Sequence, residues 1–380
     1  MKTKKPFSVA FFLPSLEPGG TERNVVNLIN NIDRKKHVLS LVLGKVEGDF
    51  IKKINKDIPI INLGASGSIE LFFKLIKYFR EEKPDIFIPA FSRINIICIS
   101  AKIFSKADTK IIATEHAIFS FLPIIAKTAG RRFFARFFLP SIGKLIYPQA
   151  DAIVCVSKGI ADDFLKIIHC PEIIRVIYNP VINDKIYELA KEPLSHLWFS
   201  NLEIPVIVAV GRLVKCKDYP TLFRALSLIL QKQHVRLVIL GKGPEEYRLK
   251  QLANELNLSE NIAFLGFQDN PYKYMKRASV FVLSSLQEGF GNVIVEAMAC
   301  GIPVVATNCK SGPGEIIQDG VNGLLVPPQD EKALASAILK ILNSPSLVQK
   351  FSIEGKARAE YFSIKKSVEE YEKVFKELTY

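Results

Sequence analysis

The chain has 380 residues, more than a single hydrophobic core usually accommodates, so two domains are expected. Hydrophobic residues make up 48% and charged residues 23% of the chain, a balance that excludes intrinsic disorder and fibrous repeats as its main state. The net charge is +13, and the six cysteines form no Cys-x-x-Cys pair, which excludes a zinc ribbon or a disulfide framework and favours a reducing compartment.

The first predicted element is a buried strand over residues 7–13. Lysines precede this apolar run, as in a signal peptide, but the run is short and no small-residue cleavage site follows it. The most apolar region, residues 86–104, is interrupted by Arg93 and Lys102, so it is not a predicted membrane span. We therefore expect a cytoplasmic chain that does not cross a membrane.

Strand-length apolar runs alternate with helical patterns through residues 1–180, which predicts repeated βαβ units and one parallel sheet. Further strands are predicted over residues 38–43, 58–62, 85–89, 110–115 and 152–156. Helices are predicted over residues 21–31, 69–82, 93–104 and 158–167. These elements form the first predicted domain, residues 1–180.

A strongly basic segment interrupts this series. Residues 1–185 hold 28 Lys and Arg against 17 Asp and Glu, and no carboxylate occurs between Glu115 and Asp151. The basic side chains alternate there with phenylalanines, and they are Lys127, Arg131, Arg132, Arg136 and Lys144. This composition predicts contact with an anionic membrane surface, whereas a solvated basic face beside an aromatic core is the alternative.

The alternation stops near residues 178–180, and the stretch up to residue 205 has the low periodicity of a linker. A second series then predicts strands over residues 206–211, 235–240, 262–266, 280–284, 303–307 and 323–326. It predicts helices over residues 219–230, 245–256 and 292–299. We expect a second domain over residues 205–360, and a C-terminal helix over residues 361–380 that packs back on the first domain.

Two doubly wound α/β domains of this kind are expected to face each other across a cleft. Ligands of such sheets bind at the carboxyl ends of the strands. The strand-to-helix loops of both halves are therefore the candidate functional segments.

The first such loop contains Gly19 and Gly20, and Thr21 follows where it can cap the next helix. Two glycines permit close backbone approach, and a helix N-terminus attracts anions, so this loop is a candidate diphosphate site. A plain tight turn is the alternative. The spacing does not match Gly-x-Gly-x-x-Gly, so dinucleotide binding is not supported.

The first loop of the second half carries Arg212 and Lys217 near the end of a predicted strand. An arginine can grip a phosphate with its planar fork, and a lysine supplies a compact charge, so both are candidates to stabilise a diphosphate leaving group. Lys215 is a competing candidate, and an ordinary surface lysine is the simpler interpretation of it.

Residues 284–303 carry two carboxylates, Glu288 and Glu296, on either side of a glycine-rich helix start. The free backbone amides of Phe290, Gly291 and Asn292 would face a phosphate or a sugar hydroxyl. Glu296 would lie more than one helical turn further along. This separation suits two hydroxyl-bearing rings joined by a diphosphate, whereas two solvent-facing carboxylates are the alternative.

With these motifs the chain resembles family 4 glycosyltransferases, which have the GT-B fold of two Rossmann-like domains. The resemblance covers almost the whole chain and rests on the glycine loop at 19–20, on Gly211 to Leu213 with Lys217, on the two glutamates and on residues 297–307. It implies that Glu296 holds the ribose hydroxyls and that Arg212 and Lys217 hold the diphosphate.

The resemblance also assigns Glu288, with the amides after it, to the donor sugar. It places His116, which follows the predicted strand over residues 110–115, near the sugar ring, although a lone histidine after a strand is more often structural. Glu288 and His116 are thus the expected catalytic residues. The other four histidines match no motif.

No Asp-x-Asp motif occurs, so cationic side chains are expected to neutralise the diphosphate without a metal ion or any other cofactor. The family retains the anomeric configuration. The mechanism usually described for the family is same-face attack, in which the leaving phosphate takes the acceptor's proton. Glu288 would then bind the sugar and would not act as a covalent nucleophile.

Residues 311–317 resemble the members of this family that build bacterial surface glycans on polyprenyl diphosphate carriers from UDP-sugars. The implied activity is transfer of a hexose or N-acetylhexosamine from a nucleotide-sugar to a glycan or lipid-linked acceptor. The basic segment lies on the half that would bind the acceptor, so its basic residues are candidate acceptor or membrane contacts. Together these features imply a peripheral protein on the inner, anionic face of the cytoplasmic membrane.

Two other functions remain as alternatives at this stage. A basic RNA- or membrane-binding module would fit the sequence pI of 9.3, but no RNA-binding signature occurs, so no nucleic acid partner is expected. A UDP-sugar epimerase could have the same fold, and it would need no acceptor.

Overall fold

The computed structural model describes residues 6–121, 139–200 and 203–379. It divides into two compact units. The N-terminal unit runs to Pro180 and also contains the chain from Ile364 onwards, and the C-terminal unit runs from Val181 to Ser363.

In the described part of the N-terminal unit, the strands form a parallel sheet in the order β3-β2-β1-β4-β5-β6-β7. Its strands are β1 (Phe7–Leu13), β2 (His37–Leu43), β3 (Ile60–Asn62), β4 (Ile86–Pro89), β5 (Lys110–Glu115), β6 (Ala152–Cys155) and β7 (Ile174–Val176). The helices among the described residues before residue 180 are α1 (Gly20–Asn31), α2 (Ser68–Glu81), α3 (Ser92–Ser105), α4 (Leu139–Ile146) and α5 (Lys158–Leu165).

The central strand β1 explains why this sheet is covered on both sides. Residues 9–13 of this strand are all fully buried. A strand with an almost unbroken apolar run has no polar face to turn to solvent, so helices must cover both faces of the sheet. β1 pairs with β2 on one side and with β4 on the other.

The C-terminal unit has a second parallel sheet, in the order β10-β9-β8-β11-β12-β13. Its strands are β8 (Val206–Val210), β9 (Arg236–Leu240), β10 (Ile262–Phe264), β11 (Val280–Leu283), β12 (Val304–Thr307) and β13 (Leu324–Val326). Its helices are α6 (Asp184–Lys191), α7 (Leu197–Ser200), α8 (Tyr219–Leu230), α9 (Glu246–Glu255), α10 (Tyr272–Met275), α11 (Asn292–Cys300), α12 (Pro313–Ile316), α13 (Glu331–Leu342) and α14 (Pro345–Ala359).

In both sheets the strand order reverses beside the first strand. The reversal lies between β1 and β4 in the N-terminal unit and between β8 and β11 in the C-terminal unit. Loops that leave neighbouring strands in opposite directions open a crevice at such a switch point, where ligands of doubly wound sheets bind. The loops after β8 and β11 therefore border the crevice of the C-terminal sheet.

The stretch treated as a linker in the sequence is folded and belongs to the C-terminal unit, which begins at Val181 and not at residue 205. It contains α6 and α7. Helix α6 buries Ile186 and Ala190, and the amide of Asn270 donates to the carbonyl of Leu189 at 2.8 Å. Because α6 is only eight residues long, its apolar face holds too few positions to show a clear period in the sequence.

The last helix, α15 (Ile364–Thr379), lies in the N-terminal unit. The ring of Phe375 is fully buried and lies 6.3 Å from Phe7 and 5.6 Å from the imidazole of His37, between ring centroids. Ser367 on the same helix donates a hydrogen bond to the carbonyl of Tyr178 at 2.9 Å. The C-terminal helix thus completes the core of the N-terminal unit.

None of the helices described is long and apolar enough to cross a bilayer.

We expect Phe375→Ala to destabilise the N-terminal unit by about 3–5 kcal/mol, because it removes a fully buried ring and leaves a cavity. Differential scanning calorimetry would show this as a transition lowered by roughly 10 °C in a unit of this size. Lys376→Ala, at the neighbouring exposed position, is the matched control. An unchanged transition for Phe375→Ala would contradict a core role for this helix.

Candidate functional site

The clearest functional feature of the C-terminal unit is an ion pair between the loops after β8 and β11. The ammonium nitrogen of Lys217 lies 2.6 Å from Oε1 of Glu288. The two side chains are only 18% and 11% exposed, so the pair is largely withdrawn from solvent. It lies at the switch point of the sheet, where the fold directs a ligand.

Glu288 is held from the side of its own loop. The hydroxyl of Ser285 donates to Oε1 of Glu288 at 2.6 Å, so that oxygen accepts from both a hydroxyl and an ammonium group. The hydroxyl of Thr307, at the end of β12, donates in turn to the backbone carbonyl of Ser285. The position of the carboxylate is therefore set by two neighbouring strands.

Two further bonds join the loops that carry the pair. The backbone amide of Leu286 donates to the carbonyl of Cys216 at 2.8 Å, and the hydroxyl of Ser284 donates to the carbonyl of Lys217 at 2.9 Å. These bonds fix the backbones of both loops, so forming the ion pair does not require further ordering of the loops.

The other two cations of the first loop lie differently. Arg212 and Lys215 are exposed. Of the two loop lysines, Lys217 forms an ion pair with a carboxylate. Lys215 lies on the surface, as expected for an ordinary surface lysine. The structure brings Lys217 and Glu288 together and leaves the guanidinium of Arg212 open to solvent at the end of β8.

A tight backbone turn precedes α11. Gly291, with φ of +98°, is the residue before the helix, and Gly312, with φ of +87°, packs beneath it. A Cβ on Gly312 would lie 2.0 Å from the carbonyl oxygen of Phe290, so only glycine permits this approach. The ring of Phe290 is buried against Phe362, with 5.2 Å between ring centroids. The side chain of Phe290 is therefore part of the core.

The second predicted carboxylate, Glu296, lies inside α11 and is 3% exposed. The hydroxyl of Tyr272 donates to its Oε1 at 3.4 Å. With Glu288 also largely buried, the interpretation of two solvent-facing carboxylates is wrong. The two carboxylates flank the glycine turn before α11, which makes both glutamates candidate ligand-binding groups.

In the N-terminal unit, His116 directly follows β5. Its Nε2 lies 3.2 Å from the hydroxyl of Thr114, which donates its proton to the carbonyl of Pro89 at 2.9 Å. The hydroxyl must therefore accept from His116, which places the ring proton on Nε2 and leaves Nδ1 as an acceptor. Nδ1 is buried and has no hydrogen-bond partner in the part of the chain that the structure describes.

Burial lowers the pKa of His116 to about 4, so the ring is neutral near pH 7. It lines a small pocket of about 10 Å³ together with Asn24, Tyr178 and Asn179. A neutral imidazole with a free Nδ1 can accept a hydrogen bond from a hydroxyl, and it carries no charge with which to attract a phosphate.

Thr21, directly after Gly19 and Gly20, does not cap the next helix as expected. Helix α1 begins at Gly20 with Gly19 before it, so Thr21 lies within the first turn and does not cap the helix. A Cβ on Gly19 would lie 2.1 Å from a carboxylate oxygen of Glu22. The protein's own carboxylate thus lies at the helix terminus that was predicted to attract a diphosphate.

Sequence reasoning missed a buried carboxylate, Glu115, at the end of β5. It accepts hydrogen bonds from the hydroxyl of Ser92 at 2.5 Å, from the amide of Asn95 at 2.6 Å and from the hydroxyl of Tyr147. The group is fully buried, and burial raises the pKa of Glu115 to about 7. An acid that ends an apolar strand was the available signal in the sequence.

Two predictions are not tested by the structure: the membrane or acceptor contacts of the basic segment, and transfer without a metal ion. Lys127, Arg131, Arg132 and Arg136 lie outside the described residues. Among the described residues, no group of three or more His, Cys, Asp or Glu side chains is arranged to hold a metal ion.

Replacing Glu115 with glutamine should change how stability depends on pH. The carboxyl binds its proton more tightly in the folded unit than in the unfolded chain, so its contribution to stability falls as pH rises from 4.5 to about 7. Glu115→Gln removes this loss, and we expect it to gain on the order of 3 kcal/mol relative to wild type across that window.

Urea unfolding of both proteins over this pH range measures the difference, with Glu82→Gln, at an exposed position of the same unit, as the control. Parallel stability curves for wild type and Glu115→Gln would contradict the shifted pKa.

Two family models together match most of the chain, and curated proteins are similar to it. The family model Glycosyltransferase Family 4 matches residues 18–185, and Glycosyl transferases group 1 matches residues 197–358. The N-acetylgalactosamine-N,N'-diacetylbacillosaminyl-diphospho-undecaprenol 4-alpha-N-acetylgalactosaminyltransferase of Campylobacter jejuni is 30% identical over 369 residues, 93% of this chain and 95% of that protein. The lipopolysaccharide core biosynthesis glycosyltransferase LpsE of Rhizobium meliloti is 34% identical over 209 residues, 55% of this chain and 59% of that protein.

Solved structures show the same architecture. Anabaena HepE in complex with UDP-glucose has a TM-score of 0.80 and 22% identity, and the match covers 98% of this chain and 100% of that one. Sucrose-phosphate synthase from Thermosynechococcus elongatus has a TM-score of 0.80 and 21% identity, and the match covers 98% of this chain and 99% of that one. The predicted GT-B fold, with two Rossmann-like units, is confirmed.

Proposed function

Because the chain belongs to glycosyltransferase family 4, as its motifs predicted, we propose that it transfers a hexose or N-acetylhexosamine from a UDP-sugar to a glycan or polyprenyl-diphosphate-linked acceptor. The named activity of the Campylobacter relative and the UDP-glucose bound to HepE support these classes of acceptor and donor. The family matches favour a transferase over the RNA-binding module and the epimerase. The observation that carries the proposal is the desolvated pair of Lys217 and Glu288 at the switch point.

The donor diphosphate is assigned to Lys217 and Arg212. As the glycosidic bond breaks, negative charge grows on the leaving phosphate, and an ammonium group already fixed at that place stabilises it without reorganisation. Lys217 is fixed in this way because its backbone and its ammonium group are both bonded to the β11 loop. Arg212 is free to turn its fork onto the phosphate when donor arrives.

Glu288 is assigned to the donor sugar as a hydrogen-bond acceptor. Its Oε1 already accepts from Lys217 and Ser285, which lowers the nucleophilicity of the carboxylate. This arrangement supports the retaining, same-face mechanism of the family, in which no glycosyl-enzyme bond forms at Glu288. Glu296, buried in α11, is assigned to the ribose hydroxyls.

His116 is assigned to a hydroxyl of the sugar. Its neutral ring and the acceptor at Nδ1 fit a hydroxyl donor better than a phosphate. Gly19 and Gly20 keep the diphosphate role that the resemblance implies, and a donor there would have to displace the carboxylate of Glu22. We propose that transfer needs no metal ion, since the cations of the β8 loop supply the positive charge.

The acceptor is proposed to be lipid-linked, and the protein to bind peripherally to the inner face of the cytoplasmic membrane. The undecaprenol-linked substrate named for the Campylobacter relative supports the acceptor, and the basic composition of residues 118–148 supports the membrane.

The proposal is tested by thermal shift against UDP-, GDP- and ADP-sugars, followed by transfer assays in EDTA with the stabilising donor. We expect stabilisation by one or more UDP-sugars, transfer that survives EDTA, and a product whose anomeric proton signal in NMR shows the configuration of the donor. Stabilisation by none of the nucleotide-sugars, or activity that returns only when Mg²⁺ is restored, would contradict the proposal.

Lys217→Ala should lower kcat/KM by about 10²–10³-fold, the usual cost of removing one preorganised group that stabilises charge in the transition state. Steady-state kinetics with saturating acceptor measures the loss. Lys215→Ala, two residues away and exposed, is the matched control and should retain wild-type kinetics. Equal losses for the two variants would show that Lys217 acts only through general charge.

A further inference from the structure

We propose that the outer face of α2 and α3 is the surface through which this protein contacts an anionic lipid bilayer. The proposal rests on the proposed function for the presence of a membrane-borne acceptor. The surface is defined by an apolar cluster, called here the phenylalanine patch, which consists of Ile69, Phe72, Phe73, Ile103 and Phe104.

The patch is unusually exposed for large apolar side chains. Ile69 is 77% exposed, Phe73 and Phe104 are each 64% exposed, and Ile103 is 42% exposed. Single exposed apolar residues are common on soluble proteins, but contiguous ones mark contact surfaces. The exposed rings are therefore the first reason to look for a partner here.

These side chains form one cluster. Ile69 and Phe73 are four residues apart on α2, so they share a face of the helix. The ring of Phe72 lies 5.4 Å from that of Phe73 and 5.6 Å from that of Phe104 on α3, between ring centroids. Phe72 thus joins the exposed groups of the two helices into one surface.

The charges of the same helices are mainly positive. Helices α2 and α3 together hold five basic residues and two acidic ones, and α3 holds no carboxylate. Both acids of α2 are already paired, Glu70 with Lys74 at 2.7 Å and Glu81 with Lys77 at 3.8 Å. The basic residues beyond these pairs are Arg80, Arg93 and Lys102. Lys106 directly follows α3, and the acidic Glu82 directly follows α2.

An anionic bilayer satisfies both features at once. Aromatic and aliphatic side chains enter the boundary between headgroups and acyl chains, while flanking lysines and arginines reach the lipid phosphates. A protein partner with an apolar patch would account for the rings but not for the excess of positive charge on both helices. Charge complementarity therefore favours the bilayer over a second copy of the chain.

The test is co-sedimentation with vesicles of phosphatidylglycerol and phosphatidylethanolamine at low salt, with phosphatidylcholine vesicles for comparison. The double variant Phe73→Ser with Phe104→Ser should bind the anionic vesicles about tenfold more weakly or worse, since two exposed rings no longer enter the interface. Lys102→Glu should weaken binding to the anionic vesicles and reduce its dependence on salt.

The matched control is the double variant Tyr247→Ser with Ile353→Ser, which removes two apolar side chains of the C-terminal unit that are 74% and 60% exposed. It should bind vesicles like wild type. Wild-type protein that fails to bind anionic vesicles, or equal losses in both double variants, would overturn the proposal.

A second measurement does not depend on loss of binding. Phe104→Trp places an indole in the patch, and its fluorescence should shift to shorter wavelength and be quenched by brominated lipid when anionic vesicles are added. An unchanged spectrum, or a concentration-dependent dimer in sedimentation velocity that the Phe73→Ser and Phe104→Ser variant abolishes, would replace the bilayer with another occupant.

Failure here and failure of the proposed function can be told apart. The Phe73→Ser and Phe104→Ser variant should keep its stabilisation by UDP-sugar and its transfer to a short-chain, water-soluble acceptor. A protein that binds vesicles through the patch but transfers no sugar would retain this inference and lose the proposed function.

Discussion

The ion pair between Lys217 and Glu288 puts two opposite charges, both largely withdrawn from water, at the carboxyl edge of an apolar sheet. Removing charges from water is costly, and the cost is recovered only when geometry is good and the remaining hydrogen-bonding capacity is used. Ser285 supplies an additional donor to the carboxylate. Bonds between the β8 and β11 loops hold both backbones, so the pair is preorganised by the fold.

A pair built in this way suits the chemistry of a diphosphate leaving group. The strands β8 and β11 are neighbours only because the strand order reverses between them, and that reversal also opens the crevice where a ligand enters. The ion pair and the proposed donor site thus depend on the same topological feature. The glycines at 291 and 312 add to it, because their backbones approach where a side chain would not fit.

In the N-terminal unit, the buried carboxylate Glu115 is bonded to neutral donors. In the part of this unit that the structure describes, Glu115 is met by hydroxyl and amide donors and by no cation, and its carboxyl is therefore easily protonated. Burial lowers the pKa of the neighbouring His116 to about 4. The neutral ring of His116 after β5 suits contact with a hydroxyl, whereas the charged loops of the C-terminal unit suit phosphates.

Much of this arrangement is determined locally and is therefore legible in the sequence. The alternation of apolar runs and helical patterns predicts both parallel sheets, and strands β1 and β5 and helix α8 have the predicted bounds. The spacing of Glu288 and Glu296 around a glycine turn is likewise a local property. Such features depend on residues that are near one another in the chain, so their pattern survives without tertiary contacts.

Other features depend on residues that are distant in the chain, and only the tertiary structure decided them. The burial of Glu115, the choice of Lys217 over Lys215 as the partner of Glu288, and the packing of α15 in the N-terminal unit all require contacts across many residues. The apolar face of helix α6 is too short to show a helical period in the sequence. This helix packs against α10 and α11, which come much later in the chain. Because burial and pairing are set by the folded neighbourhood and not by the local pattern, the sequence alone could name these residues but not their partners.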